Sequence, residues 1–183
     1  MHPDVESILF DEQTILNKVL ELGNQLTEDY RGKNPLFICI LKGATLFMAD
    51  LVKRVNVPME MDFMAISSYG ASSQSSGVVR ILKDLERSIE GRHVVIVEDI
   101  VDTGLTLKYL RDALMHRHAA SVKIVSLFDK PSGRKVDIAP DYYGFTVPNA
   151  FIVGYGLDYA EQYRNLPFVG VLKSDIYATS KTD

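Results

Sequence analysis

At 183 residues the chain slightly exceeds a domain of roughly 150 residues, which favours one compact domain over two. Its 46% hydrophobic and 24% charged content excludes a disordered polyelectrolyte, and a lone cysteine, Cys39, excludes an intramolecular disulfide or a cysteine-rich zinc site. The net charge of −4 supplies no general basic field and weighs against nucleic acid as the main partner; no apolar run of about 18 residues and no secretory leader is visible, so a cytoplasmic protein without a membrane partner is expected.

Residues 12 to 29 place Ile15, Leu16, Val19, Leu22 and Leu26 near a 3.6-residue period and predict an amphipathic helix. Leu36 to Leu41 is a continuous apolar run after Pro35, the pattern of a strand buried on both faces. Ala44 to Val55 returns to helical spacing, and Met61 to Ile66 reads as a second strand. The following small, polar stretch through Gly77 has nothing to bury and predicts a mobile loop. Val94 to Val97 is the strongest strand and runs into Glu98-Asp99; Thr103-Gly104 breaks the pattern, and Leu107, Leu110 and Leu114 carry the next helix. Val122 to Phe128 is another buried strand, with shorter β-like pieces at Tyr142 to Val147, Phe151 to Val153 and Phe168 to Leu172.

Alternating helices and apolar strands imply an α/β fold with a parallel sheet covered on both faces, in which ligands gather at the carboxyl ends of the strands. The polar residues that follow the apolar runs are therefore the candidates: Lys42-Gly43, Glu98-Asp99 through Thr106, and Asp129-Lys130. Glu98 and Asp99 repel each other unless a cation or hydroxyl donors lie before them, so magnesium or a sugar diol fits. Asp102-Thr103-Gly104-Leu105-Thr106 is a short turn at a helix start, which offers free amides and the positive end of the helix dipole to an anion such as phosphate. Lys42 reads either as an anion ligand or as a lysine extending its stem along the strand end.

The segment Val94 to Thr106, VVIVEDIVDTGLT, resembles the signature of the type I phosphoribosyltransferases: four apolar strand residues, two acids, then Asp-Thr-Gly-x-Thr. The blocks Leu41-Lys42-Gly43, Ser68-Tyr69-Gly70, Ile81 to Asp84, Asp129-Lys130-Pro131 and Phe151 to Asp158 resemble that family's bacterial hypoxanthine-guanine branch in order. The resemblance implies a central parallel sheet flanked by helices, with a small hood subdomain. It places the core at about 35–150 and the hood in about 1–12 and 150–177 of a single domain. It implies purine salvage, in which phosphoribosyl pyrophosphate and hypoxanthine or guanine give the nucleoside monophosphate and pyrophosphate, with magnesium as cofactor. A xanthine-preferring enzyme and an RNA-binding regulator on the same fold are the alternatives.

By the same resemblance, Asp102 is the general base, Glu98 and Asp99 support ribose and magnesium, and Asp102, Thr103, Gly104, Leu105 and Thr106 hold the 5-phosphate. Lys42, Gly43, Arg164, Ser68 and Tyr69 fall to pyrophosphate, the last two on a lid running from Ser68 to about Val79. The Leu41-Lys42 peptide is expected to be cis in at least some states. Lys130, Phe151, Ile152 and Asp158 fall to the purine, and Asp158 also to a second magnesium. The partners implied are the two small-molecule substrates and further copies of the chain, as a homodimer or homotetramer.

Overall fold

The computed structural model describes residues 2–68 and 79–178. Tyr69 and the remainder of the expected lid up to residue 78 lie outside them, and of Ser68 only the backbone is described. Two sheets are present among the described residues. The larger has six strands: β2 (Leu36–Leu41), β3 (Glu60–Ser68), β4 (Val79–Lys83), β5 (His93–Val101), β6 (Ser121–Asp129) and β7 (Tyr142–Thr146), in the order β4-β3-β2-β5-β6-β7. All neighbours are parallel except β3 and β4, so the sheet is mostly parallel with one antiparallel edge.

Helices α1 (Glu12–Asp29) and α2 (Thr45–Val52) cover one face, and α3 (Leu105–His116) the other. Alternation along the strands feeds both cores at once: Phe37, Cys39, Val95 and Val97 pack with α1 and α2, while Ile38, Ile40, Val94 and Ile96 pack with Leu107, Leu110 and Leu114 of α3. The continuous apolar runs therefore arise because each of these strands has two faces to bury. A second, three-stranded antiparallel sheet joins β1 (Val5–Phe10) to β9 (Val169–Leu172) and β8 (Ile152–Val153), and the short helix α4 (Ser174–Ala178) follows.

Two sequence expectations shift. Ala44 to Val55 is helical only over Thr45–Val52, because Arg54 N donates to Leu51 O and closes a turn that buries Val55 without extending the helix. Glu98 and Asp99 do not follow the strand but lie within it; β5 continues to Val101 because its register with β6 continues through Glu98–Ser126, Ile100–Phe128 and Val101–Asp129. The chain leaves β2 toward β3 on one side and passes from β5 to β6 and β7 on the other. A crevice thus opens between the carboxyl ends of β2 and β5, where an open α/β sheet is expected to bind its ligand.

Candidate active site

The crevice is built from four connections. The first follows β2, where the Leu41–Lys42 peptide is cis and Gly43 lies against the Asp99 carboxylate. A Cβ on Gly43 would stand 1.7 Å from Asp99 Oδ2, so only glycine allows this approach. The second is the end of β5, which carries the acidic pair. Burial first, then the Asp99 charge, holds the Glu98 carboxyl well above its ordinary range. Asp99 is pushed up to about 6 by burial, against the Ile100 amide, which donates to its Oδ1 at 2.7 Å, and the charge of Arg164. Two such half-buried acids are costly to ionise together in the empty cleft, so a cation before them would be strongly favoured.

The third connection runs from β5 into α3. Gly104 starts the helix with a φ of 78°, a conformation that favours glycine, and no side chain caps it. Leu105 N donates to Thr103 Oγ1 at 3.5 Å, and the next amides of the first turn face the cavity side for another partner. A cavity of about 150 Å³ lies here, lined by Glu98, Asp102, Thr103, Gly104 and Thr106 among others. Its far wall is fixed by the connection after β6: Lys130 N donates to Val101 O at 2.9 Å and Lys135 N to Thr103 O at 2.9 Å. Arg134 adds two bonds from Nη1, to Val101 O at 2.9 Å and Asp102 O at 2.7 Å, and pairs through Nη2 with Asp129.

A second cavity, of about 260 Å³, adjoins the first through Ile100 and Asp102. Asp99, Lys130, Phe151, Ile152 and Asp158 line it, together with Ala150 and Leu157. The Lys130 side chain is only 15% exposed, and its Nζ stands 3.6 Å from Asp102 Oδ2. Phe151 is 39% exposed, braced edge-on by Tyr159 and stacked on Tyr177 at 5.1 Å between ring centres, which leaves part of the ring toward the cavity.

The fourth connection, between β8 and β9, carries Asp158 and Arg164. Arg164 Nη2 pairs with Asp158 Oδ1 at 2.9 Å, and Nη1 donates to Gly156 O at 2.8 Å. Lys42 reaches the same connection across the crevice, through Glu161 at 2.7 Å.

Of the sequence-derived residues, Glu98, Asp99, Asp102, Thr103, Gly104, Thr106, Lys130, Phe151, Ile152 and Asp158 line the two cavities, Lys42, Gly43 and Arg164 stand beside them, and Leu105 lines neither. Sequence reading missed Arg134 and Glu161. Arg134 is signalled by a basic residue four positions after Lys130 on a Pro-Ser-Gly turn, and Glu161 by its i,i+3 spacing to Arg164.

Among the described residues no three of His, Cys, Asp or Glu come together to hold a metal ion. The acidic pair instead fits magnesium, which commonly takes one or two protein carboxylates and completes its shell from substrate oxygens and water. No helix among the described residues is long and apolar enough to cross a membrane.

Residues 6–160 match the family described as a phosphoribosyl transferase domain. The chain is 59% identical over 177 residues to the hypoxanthine-guanine phosphoribosyltransferase of Streptococcus thermophilus, covering 97% of this chain and 98% of that one. It is 58% identical over 177 residues to the Bacillus subtilis protein of the same name, with the same coverage. Its fold superposes on a hypoxanthine phosphoribosyltransferase from Staphylococcus aureus with a TM-score of 0.94, at 49% identity over 97% of this chain and 96% of the other. On these likenesses and on the signature that closes β5, the chain belongs to the phosphoribosyltransferase family.

Proposed function

We propose that the chain moves the 5-phosphoribosyl group from phosphoribosyl pyrophosphate to a ring nitrogen of hypoxanthine or guanine. The observation that carries this reading is the shared wall: Asp102 borders both the helix-start cavity suited to a phosphate and the Lys130–Phe151 cavity suited to a flat heterocycle. A donor in the first and an acceptor in the second would meet at that carboxylate.

In this reading the first-turn amides of α3 and the hydroxyls of Thr103 and Thr106 hold the 5-phosphate. Glu98 and Asp99 hold the ribose hydroxyls, and Lys42, Gly43 and Arg164 meet the pyrophosphate, where a guanidinium fork suits two phosphate oxygens. Ser68 and Tyr69 belong to the same set by family resemblance. The bond from the sugar's anomeric carbon to the pyrophosphate oxygen breaks, the bond to the purine nitrogen forms, and the proton on that nitrogen passes to Asp102. Positive charge developing on the sugar ring lies before the acidic pair, which stabilises it. Magnesium, when bound, would neutralise the departing pyrophosphate; Glu98 and Asp99 would support one ion, in part through water, and Asp158 a second.

Phe151 stacks on the purine, the backbone of Ile152 and the Asp158 carboxylate meet its edge, and Lys130 meets the six-position. An ammonium has donors and no acceptor, so it favours a 6-oxo group over a 6-amino group. One experiment tests both halves: hypoxanthine, guanine, xanthine and adenine compete for phosphoribosyl pyrophosphate with wild type and Asp102→Asn. The 6-oxopurines should outcompete adenine in the wild type, and Asp102→Asn should lower turnover by about 10²-fold while keeping donor affinity. Wild-type turnover in the variant would remove Asp102 as the base, and a preference for adenine would overturn the purine assignment.

A further inference from the structure

Glu161 has no role in the scheme above, yet it touches both cations given to pyrophosphate. It lies in the β8–β9 connection, where Ala160, Glu161 and Tyr163 have φ angles of 50°, 65° and 74°. One carboxylate oxygen, Oε2, accepts from Lys42 Nζ at 2.7 Å, and the other, Oε1, accepts from Arg164 Nη2 at 3.1 Å. The residue is held from its backbone side as well, since Glu161 N donates to Asp158 Oδ2 at 2.8 Å. A single carboxylate thus bridges two cations with one oxygen each, as two oxygens of one phosphoryl group would.

The contact is built to be exchangeable. Lys42 and Glu161 are 68% and 64% exposed, and ion pairs so open to solvent are individually weak. The two cations hold the Glu161 carboxyl below its ordinary value, so it remains an anion at neutral pH. Lys42 and Glu161 come from connections 119 residues apart, so the bridge exists only when the two walls of the crevice are assembled.

We propose that Glu161 is an internal stand-in for pyrophosphate, occupying Lys42 and Arg164 in the empty enzyme and giving way when the diphosphate of the donor arrives. The inference rests on the pyrophosphate assignment of those two cations. Its functional consequence is an affinity threshold that weakens every anion at the two cations by the same factor. A diphosphate brings more charge and more oxygens than a carboxylate and clears that threshold, whereas inorganic phosphate or sulfate, the weaker ligand from the start, falls below it. Return of the carboxylate after turnover would also hasten departure of pyrophosphate.

The test titrates inorganic pyrophosphate with magnesium, and separately inorganic phosphate, into wild type, Glu161→Gln, Glu161→Asp and Lys42→Met by calorimetry. Glu161→Gln should bind both anions about fivefold more tightly, the sum of two weak contacts released. Glu161→Asp keeps the charge but is one methylene too short to bridge, and should approach the Gln variant. Unchanged or weaker binding in Glu161→Gln would overturn the proposal in favour of a simple loop staple. Wild-type affinity in Glu161→Asp beside tighter binding in Glu161→Gln would overturn it in favour of a diffuse field effect. Lys42→Met separates the two levels of inference: undiminished pyrophosphate binding there removes the pyrophosphate assignment itself, whereas a loss there with an inert Glu161 removes only the stand-in.

Discussion

Arg134 sets the shape of the β5–α3 turn without lining either cavity. Its guanidinium gives two bonds to the carbonyls of Val101 and Asp102 and pairs with Asp129, and both side chains of that pair are at most 14% exposed. Arg134→Met should cost about 3 kcal/mol of stability in urea unfolding, because it leaves Asp129 unpaired in a mostly buried place. Arg134→Lys should restore most of that stability through the ion pair but not the forked grip on two carbonyls, so the KM for phosphoribosyl pyrophosphate should stay raised while the fold recovers. Equal recovery of both quantities would reduce Arg134 to a purely structural residue. The positions of Lys42, Asp102 and Lys130 at the crevice were legible because each follows an apolar run. Arg134 and Glu161 were less so: short-range spacing marks a basic residue after the Pro-Ser-Gly turn and a carboxylate three before Arg164, but the partners that give them their place, the Val101 and Asp102 carbonyls and Lys42, lie on other connections.

Among the elements, β3 carries an acid that the apolar pattern does not explain. Asp62 is 9% exposed and accepts from Phe63 N at 2.7 Å, Glu86 N at 2.9 Å and Lys83 Nζ at 3.4 Å, tying β3 to the segment that leaves the antiparallel edge strand. Burial raises its pKa, but these amides and the lysine prevail and hold it below the ordinary 3.8. A carboxyl lowered in the folded state contributes stability above pH 3.8, and that contribution is lost as pH falls through its folded value. Asp62→Asn should therefore be less stable than wild type by about 1–3 kcal/mol at pH 7, with the gap narrowing below pH 3.8 in urea titrations. A gap independent of pH would show that packing, not charge, is what the residue supplies.

The same scale explains which elements the sequence reveals. Strands with two faces to bury announce themselves, as β2, β5 and β6 do. By contrast, β1 has the burial pattern Beeeii and two register irregularities, so its strand character comes from pairing with β9 at the other end of the chain. For β5, the apolar run stops at Val97, but the ladder with β6 carries the strand to Val101. Local patterns report burial, whereas pairing over long separations decides where an edge strand lies.

At the scale of the molecule, the proposed site draws walls from four connections already tied by contacts such as the Lys42–Glu161 bridge, and a ligand that spans them adds further ties. Phosphoribosyl pyrophosphate with magnesium should raise the melting temperature more than inorganic phosphate with magnesium. Both ligands are compared at one concentration, and where that is a hundredfold above the donor's dissociation constant the donor's gain is about 2.7 kcal/mol. Equal shifts from the two ligands would argue against a site that spans the β2 loop, the α3 start and the β8–β9 connection.

The small sheet gives this assembly an order in time. Ile152 and Val153 are held by β9, whose other neighbour is β1. Ribosomal synthesis delivers β1 early and β9 late. A nascent chain that has emerged through Lys135 has therefore delivered every residue of the turn proposed to take the phosphate and of the connection that walls it, while β1 waits for the last strand. The surface proposed to recognise the purine, and with it Arg164, is completed only when β9 pairs with β1 and β8, so unfinished chains would carry the turn proposed for the 5-phosphate before they could select a base.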